Sequence, residues 1–379
     1  MAVRIAFLGT PDAAVPSLRT LALAGDVEVA AVVTNPDRPR GRSRRPVPPP
    51  VKVAAAELDL PVWQPARPAE IASELCALTL DAAAVVAYGA LLPPSVLAAV
   101  RRGFVNLHFS LLPRWRGAAP VQHAVRAGDR VSGVTTFVLD EGMDTGPVLD
   151  QLKVGIGPEE TAGELLARLA ELGAPVLLHS LRRLAAGEQP VSQPAEGGTL
   201  APKISPEDVA IDWDASALEI VRLVRSANPV PGAHTSFRGR RLKVWRARVA
   251  HPEGPPGRVA GVDSDGPVVG TGEGAVVLTE LQPEGRPRMP GVAFIRGYRP
   301  EPGERLGGRP EERSWSQERS RLAQDRDKSA REGPQARAGG QMREGPQARA
   351  GGQMREGPQA RAGGQIQARD GGGRAGSGG

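Results

Sequence analysis

Arg4-Ile-Ala-Phe-Leu8 runs directly into Gly9-Thr-Pro-Asp12, and Val15, Leu18, Leu21 and Ala22 follow at helical spacing before Gly25. A short, unbroken apolar run suits a strand buried on both faces. Asp12 is placed to cap a helix, and Gly25 is placed to end it. The same alternation continues outward from this strand–turn–helix unit. Val27–Val33 reads as a strand, Val51–Leu58 as a helix, Pro61–Trp63 as a brief strand and Glu70–Leu78 as a helix. Ala82–Ala87 reads as a strand closed by Tyr88-Gly89, Phe104–His108 as another, and Pro120–Ala127 as a helix. Ser132–Val138 and Val148–Val154 are strands around a glycine-rich turn, and Thr161–Ala186 is a long amphipathic helix. Strands separated by helices predict βαβ units: an α/β fold with an open, doubly wound, mostly parallel sheet over residues 1–188. Such sheets bind ligands at the carboxyl ends of their strands.

Residues 189–208 are polar and rich in Pro and Gly, which predicts a linker. Residues 209–306 carry one helical pattern, Ala215–Ser226. Short alternating runs then follow at Thr235–Phe237, Leu242–Ala247, Gly257–Val262, Val268–Gly270 and Ala275–Leu281. Strands this short, with turn residues between them, predict a small, mostly antiparallel, OB-like β-barrel. Residues 307–379 contain Arg331-Glu-Gly-Pro-Gln-Ala-Arg-Ala-Gly-Gly-Gln-Met342, which recurs from Arg343 and, ending in Ile366, from Arg355. A composition without bulky apolar groups predicts a disordered, low-complexity tail.

The 379 residues carry a net charge of +6. Residues 310–379, with 13 basic and 9 acidic side chains, hold +4 of it, so the body is close to neutral and polyanion binding must rest on a local patch. One patch stands out. Arg38, Arg40, Arg42, Arg44 and Arg45 lie among Pro, Gly and Ser, a composition that cannot form core. Guanidinium forks match phosphate oxygens, so this loop is a candidate RNA contact; a plain solvated loop is the competing reading. The single cysteine, Cys76, excludes a disulfide framework within the chain and is expected to be a small buried side chain. The N-terminus has too short an apolar run for a signal peptide, and no 18-residue apolar stretch exists, so a cytoplasmic protein is expected.

The densest chemical signal is Phe104-Val-Asn-Leu-His-Phe-Ser-Leu-Leu-Pro-Arg-Trp-Arg-Gly-Ala-Ala-Pro120. Asn106 and His108 are two apart on a strand and share a face at its carboxyl end. An amide can donate to a developing oxyanion, and an imidazole can move protons near neutral pH. Asp140-Glu-Gly-Met-Asp-Thr-Gly146 offers a carboxylate to orient the ring. Spacing alone does not choose among its three acids, although Asp144, between the glycines, is better placed to point inward. Gly9-Thr-Pro-Asp12 lacks a dinucleotide fingerprint, no G-x-S-x-G elbow is present, and the remaining histidines show no metal-ligand spacing, so no metal is expected.

Together these segments resemble the methionyl-tRNA formyltransferases. The resemblance is carried by Gly9-Thr-Pro11, Asn35-Pro-Asp-Arg-Pro39, Val85-Val-Ala-Tyr-Gly89, Asn106-Leu-His108, Ser110-Leu-Leu-Pro-Arg-Trp-Arg-Gly-Ala-Ala-Pro120 and the Asp140–Gly146 turn. It continues through Ala201-Pro-Lys-Ile204, Ile211-Asp-Trp213 and Leu242-Lys-Val-Trp245. The Asn–His–Asp set and Ser-Leu-Leu-Pro are shared with other folate-dependent formyltransferases; the arginine loop and second domain narrow the match to the tRNA enzymes. The resemblance implies a Rossmann-like formyltransferase sheet, 10-formyltetrahydrofolate as co-substrate, initiator methionyl-tRNA as partner, and a monomer that needs neither membrane nor metal. It implies that Asn106 holds the formyl oxygen, His108 shuttles protons and Asp144 pairs with that histidine. Ser110, Leu111, Leu112 and Pro113 are implied to contact folate, the Arg38–Arg45 loop and the C-terminal barrel to contact tRNA. Phe109, where many relatives have Gly, is a departure that could crowd the turn and is expected to leave the chemistry intact. A formyltransferase for a small amine, or a non-catalytic tRNA-binding protein on the same fold, are the rival readings.

Overall fold

The computed structural model describes residues 2–39, 45–251 and 254–307. Arg40, Arg42, Arg44 and the whole repeat region lie outside the described residues.

The N-terminal part is built from β1 (Val3–Gly9), α1 (Val15–Ala22), β2 (Val27–Val33), a small hairpin of β3 (Arg38–Pro39) and β4 (Pro46–Val47), α2 (Pro50–Glu57) and β5 (Val62–Trp63). It continues with α3 (Ala72–Ala77), β6 (Ala82–Val86), α4 (Pro94–Leu97), β7 (Phe104–His108), α5 (Pro120–Ala127), β8 (Val131–Val138), β9 (Val148–Gly155) and α6 (Ala162–Ala185). Seven of these strands form one sheet in the order β5-β2-β1-β6-β7-β8-β9. β5, β2, β1, β6 and β7 run parallel, and β8 and β9 are antiparallel. The chain winds out from β1 to β5, then returns to β6 and winds the other way. The strand order therefore reverses beside β1, as the sequence alternation predicts.

The continuous apolar strands have a direct explanation. Alternate residues of β1 and β6 enter different cores. Ile5, Phe7, Ala82, Ala84 and Val86 pack with Leu18 and Leu21 of α1 and with Leu165, Leu169, Leu177 and Leu181 of α6. Ala6, Leu8, Ala83 and Val85 pack on the opposite face with Ile71, Leu75, Val96 and Val100. Fully burying one such Val or Leu contributes about 1.5–3 kcal/mol, so no position in β6 tolerates a polar residue cheaply. A capping box between Thr161 and Glu164 starts α6. Cys76 corrects an expectation: it is exposed. The six-residue α3 buries Leu75 and turns the next position to solvent.

The C-terminal part comprises α7 (Ala217–Ala227), β10 (His234–Phe237), β11 (Arg240–Ala250), β12 (Val259–Val262), β13 (Pro267–Gly270), β14 (Ala275–Pro283), β15 (Met289–Pro290) and α8 (Gly291–Tyr298). Its strands form a curled antiparallel sheet, β10-β11-β14-β13-β12, with β15 beside β14. Irregular register at Val244, Arg246 and Ala247 bends the long β11, and Ile220, Val224, Val244, Val276, Leu278 and Phe294 fill the concave side. Arg225 joins the two parts, donating to the carbonyls of Gly157 and Glu160 at 2.9 and 3.0 Å.

Candidate active site

β7 ends where the parallel strands meet the antiparallel edge, and it carries Asn106 and His108 on one face. His108 is buried, with its ring edge toward Phe137 at a centroid distance of 6.5 Å. Its Nε2 lies 2.9 Å from the carbonyl oxygen of Trp115, and its Nδ1 lies 3.7 Å from Oδ2 of Asp144. A carbonyl only accepts, so Nε2 carries the proton in the neutral ring and Nδ1 presents a lone pair toward the carboxylate. Burial pushes the imidazole below its ordinary pKa; the Asp144 charge and the Trp115 carbonyl push the other way and are outweighed. His108 is therefore neutral near pH 7, with a carboxylate in place to stabilise any proton it takes up.

The three acids of the turn have separate tasks. Oδ1 of Asp140 accepts from the Gly142 N–H at 3.0 Å and from the Thr145 hydroxyl at 2.8 Å, which holds the turn itself. Glu141 is exposed. Asp144 turns inward, at a left-handed φ of +53°, and its Oδ2 accepts the Gly117 N–H at 2.7 Å. Both partners of this bond depend on glycines. A Cβ on Gly146 would lie 1.8 Å from the Val138 carbonyl oxygen, and one on Gly117, at φ +122°, would lie 2.7 Å from that of Ala201. Asn106 is half-buried, and among the described residues its carboxamide has no hydrogen-bond partner.

Ser110–Pro113 forms a fixed turn beside this group. The Ser110 hydroxyl donates to the Arg114 carbonyl at 2.6 Å. The Thr135 hydroxyl donates to the Ser110 carbonyl at 2.7 Å and accepts from the Leu112 N–H at 3.0 Å, while Gln151 donates to the Leu112 carbonyl at 2.8 Å. Leu112 is buried, and Leu111 and Pro113 are half-buried, which leaves an apolar wall. Phe109 does not crowd this turn: it points into the core below the sheet.

The stem of the arginine loop lies at the carboxyl ends of β1, β2 and β6. Asn35 donates to the Tyr88 carbonyl and the Thr10 hydroxyl at 2.9 and 3.1 Å. Asp37 is gripped by Lys52 at 2.9 Å and Gln64 at 2.7 Å. Arg38 and Arg45 flank the stem and are exposed.

The sequence matches the Formyl transferase family over residues 3–181 and the Formyl transferase, C-terminal domain family over residues 203–299. It is 46% identical, over 325 residues, to a methionyl-tRNA formyltransferase of Frankia casuarinae, covering 80% of this chain and 96% of that protein. Against the Streptomyces coelicolor methionyl-tRNA formyltransferase it is 47% identical over 311 residues, 80% of this chain and all of that one. The chain belongs to the methionyl-tRNA formyltransferase family. In fold the chain is similar to HypX from Aquifex aeolicus in complex with tetrahydrofolic acid (TM-score 0.54, 19% identity, 78% of this chain), although it spans about half (47%) of that protein's length. It is also similar to WlaRD, a sugar 3N-formyl transferase (TM-score 0.55, 15% identity, 76% of this chain and 100% of that one).

Several residues that shape the site escape a sequence reading. Thr135 lies opposite His108 in the β7–β8 register, and nothing in the sequence of the strand sets it apart from Ser132 or Thr136. Gln151, Trp115, Gly117, Gln193 and Thr199 act through distant backbone groups, which no periodicity marks. Among the described residues no group of three or more His, Cys, Asp or Glu is disposed to hold a metal ion.

Proposed function

We propose that this chain transfers the formyl group of 10-formyltetrahydrofolate to the α-amino group of methionyl-initiator tRNA, giving N-formylmethionyl-tRNA for translation initiation. The observation that carries this reading is the extent of the kinship: 46% identity along 96% of a methionyl-tRNA formyltransferase, through both matched regions. The site's geometry suits the reaction. The free carboxamide of Asn106, the buried His108 with its bare Nδ1, and the inward carboxylate of Asp144 are groups an acyl-type transfer uses.

Bound 10-formyltetrahydrofolate supplies an electrophilic formyl carbon on a nitrogen leaving group. Ser110, Leu111, Leu112 and Pro113 would flank it, their backbone fixed by Thr135 and Gln151. As the deprotonated methionyl amine attacks, negative charge grows on the formyl oxygen, and Asn106 donates an amide N–H to it; such a donor is typically worth roughly 100- to 1,000-fold in rate. Nδ1 of His108 takes the proton the amine sheds and passes it to the departing nitrogen. Asp144 stabilises the imidazolium in between and holds the ring's orientation. Much of the remaining acceleration comes from holding two large substrates in contact.

Recognition of tRNA is assigned to Arg38, Arg40, Arg42, Arg44 and Arg45 and to the C-terminal part. A concavity of about 730 Å³ there brings Arg240, Arg241 and Arg286 together beside Glu284 and an apolar floor of Phe237, Leu242 and Phe294, and the three guanidinium groups are suited to phosphates. Replacing Arg40 and Arg42 by Ala is expected to weaken tRNA binding and to flatten the slope of log K against log salt, reducing its magnitude by about 2, leaving folate binding intact. Filter binding across a salt series reads this, and unchanged affinity would reduce the loop to a solvated connection. No helix among the described residues is long and apolar enough to cross a membrane; we assign the chain to the cytoplasm, as a monomer. The decisive assay offers labelled formyltetrahydrofolate with methionyl-tRNA, uncharged tRNA or an amino sugar nucleotide. Label is expected on methionyl-tRNA alone, and transfer to the sugar amine instead would reject the assignment.

A further inference from the structure

The segment joining the two parts is bound to the site. Val191 exchanges backbone hydrogen bonds with Val148 at 2.7 and 2.8 Å, and Ala201 pairs with Arg116 and Ala119. From residue 191 to 200 every side chain is exposed except Gln193 and Thr199, which are half-buried. The Thr199 hydroxyl accepts the Trp115 N–H at 2.9 Å. Gln193 uses both ends of its carboxamide. Its nitrogen donates to the carbonyl oxygens of Asp144 and Gly146, each at 2.8 Å, and its oxygen accepts from Nη2 and Nε of Arg116 at 2.6 and 3.2 Å. The residue after Arg116 is Gly117, whose N–H holds the Asp144 carboxylate. Arg116, Gln193, the backbone of Asp144, its carboxylate and Gly117 thus form a closed ring of hydrogen bonds.

This ring has a task. Asp144 sits in a left-handed conformation that a non-glycine residue keeps only when its surroundings fix it. Gln193 is the hydrogen-bond partner of the Asp144 and Gly146 carbonyls, so it fixes the stretch of backbone from which the Asp144 carboxylate projects. We infer that Gln193 is a positioning residue, which sets the Asp144 carboxylate against His108 and makes the connecting segment part of the catalytic centre. The inference rests on the formyl-transfer roles proposed above for that pair.

The test is made on the full chain with Gln193→Met, which keeps the volume and removes all four hydrogen bonds. Asp144 is the charged group acting on the His108 ring among the described residues. If the carboxylate loses its place, its electrostatic support weakens, and the His108 titration, followed by NMR and assigned with His108→Asn, moves to lower pH. Asp144→Asn moves it in the same direction and further. Misplacing a reacting group by about 1 Å can cost about 100-fold, so kcat is expected to fall by roughly 10- to 100-fold with KM changed far less. Gln189→Met, in the same segment but bonded only to the Gly187 carbonyl, is expected to leave both readouts at wild type. Gln193→Leu is the second variant: it likewise removes all four hydrogen bonds without adding a charge near the ring, and the same downward shift is expected. A His108 titration unchanged in either folded variant overturns the inference, since a merely structural strap would alter melting without touching that equilibrium. If Asp144→Asn shifts the titration but retains full kcat, the catalytic reading fails, and the positioning of the carboxylate by Gln193 is still judged by its own titration.

Discussion

Asn106→Ala is expected to lower kcat by roughly 100- to 1,000-fold, a loss of about 2.7–4 kcal/mol of transition-state stabilisation, with little change in KM for either substrate. The split follows from when the carboxamide acts. The neutral formyl oxygen of the ground state gains little from an amide N–H in a polar cleft. The charge that grows on it during attack gains far more, because a hydrogen bond to an anionic oxygen is much stronger than one to a neutral carbonyl. The variant should fold normally, since Asn106 makes no side-chain hydrogen bond among the described residues and its half-buried position leaves room for the truncation. Asn106→Asp sharpens the test. It has nearly the same shape, yet it replaces a donor by a negative charge facing a developing oxyanion, and it should be at least as damaged as the alanine variant. Single-turnover rates with saturating folate, together with melting temperatures, decide the matter; a variant that melts like the wild type and retains most of its rate removes Asn106 from the mechanism.

What the sequence makes legible follows the range of the physical signals. The first strand and its helix read correctly because burial on both faces imposes a continuous apolar run, and Ile5/Phe7 and Ala6/Leu8 do enter opposite cores, but Asp12 does not cap the helix: it lies within a short 3-10 turn, and α1 begins at Val15 without a side-chain cap. Asn106 and His108 read as partners because period two is local. Asp144 is different. Spacing alone does not choose it over Asp140 and Glu141, its place between two glycines only favours it, and the contact of its carboxylate with Gly117 and His108 separates it from a turn-holding Asp140 and an exposed Glu141. Gln193 is legible by no local signal: its partners lie 47, 49 and 77 residues away, and its neighbours look like a polar linker. The eight-residue α8 is missed for a simpler reason. Glycines at Gly291 and Gly297 conceal a helix that exists because Phe294 fills the concave core. Cys76 fails in the reverse direction, since a helix as short as α3 has too little length for composition to define its buried face.

Asp144→Asn is expected to cost on the order of 100-fold or more in kcat and also to move the pH profile, and the direction of that movement separates its role from others. In the wild type, burial already holds His108 below the ordinary imidazole pKa, with Asp144 partly opposing it. The acid limb of kcat/KM, where the ring becomes protonated and ceases to be a base, therefore lies below the ordinary imidazole range. The amide has no charge to oppose burial, so the limb moves to still lower pH. At neutral pH the ring is neutral in both proteins, and the rate loss there does not come from a wrong protonation state; it comes from an imidazolium that must form in the transition state without its counter-charge. Stability follows the same linkage. Because the folded pKa is depressed, below the ordinary imidazole value the unfolded chain binds a proton that the native His108 refuses, and stability against unfolding falls as pH falls. Without Asp144 the native ring refuses it over a wider range, so the variant should lose more stability between neutral and acid pH than the wild type does. A full kcat/KM profile beside denaturant melts at matched pH tests both limbs of the argument. An acid limb that moves upward, or stays in place while the plateau falls, would mean that Asp144 acts on the substrate rather than through His108.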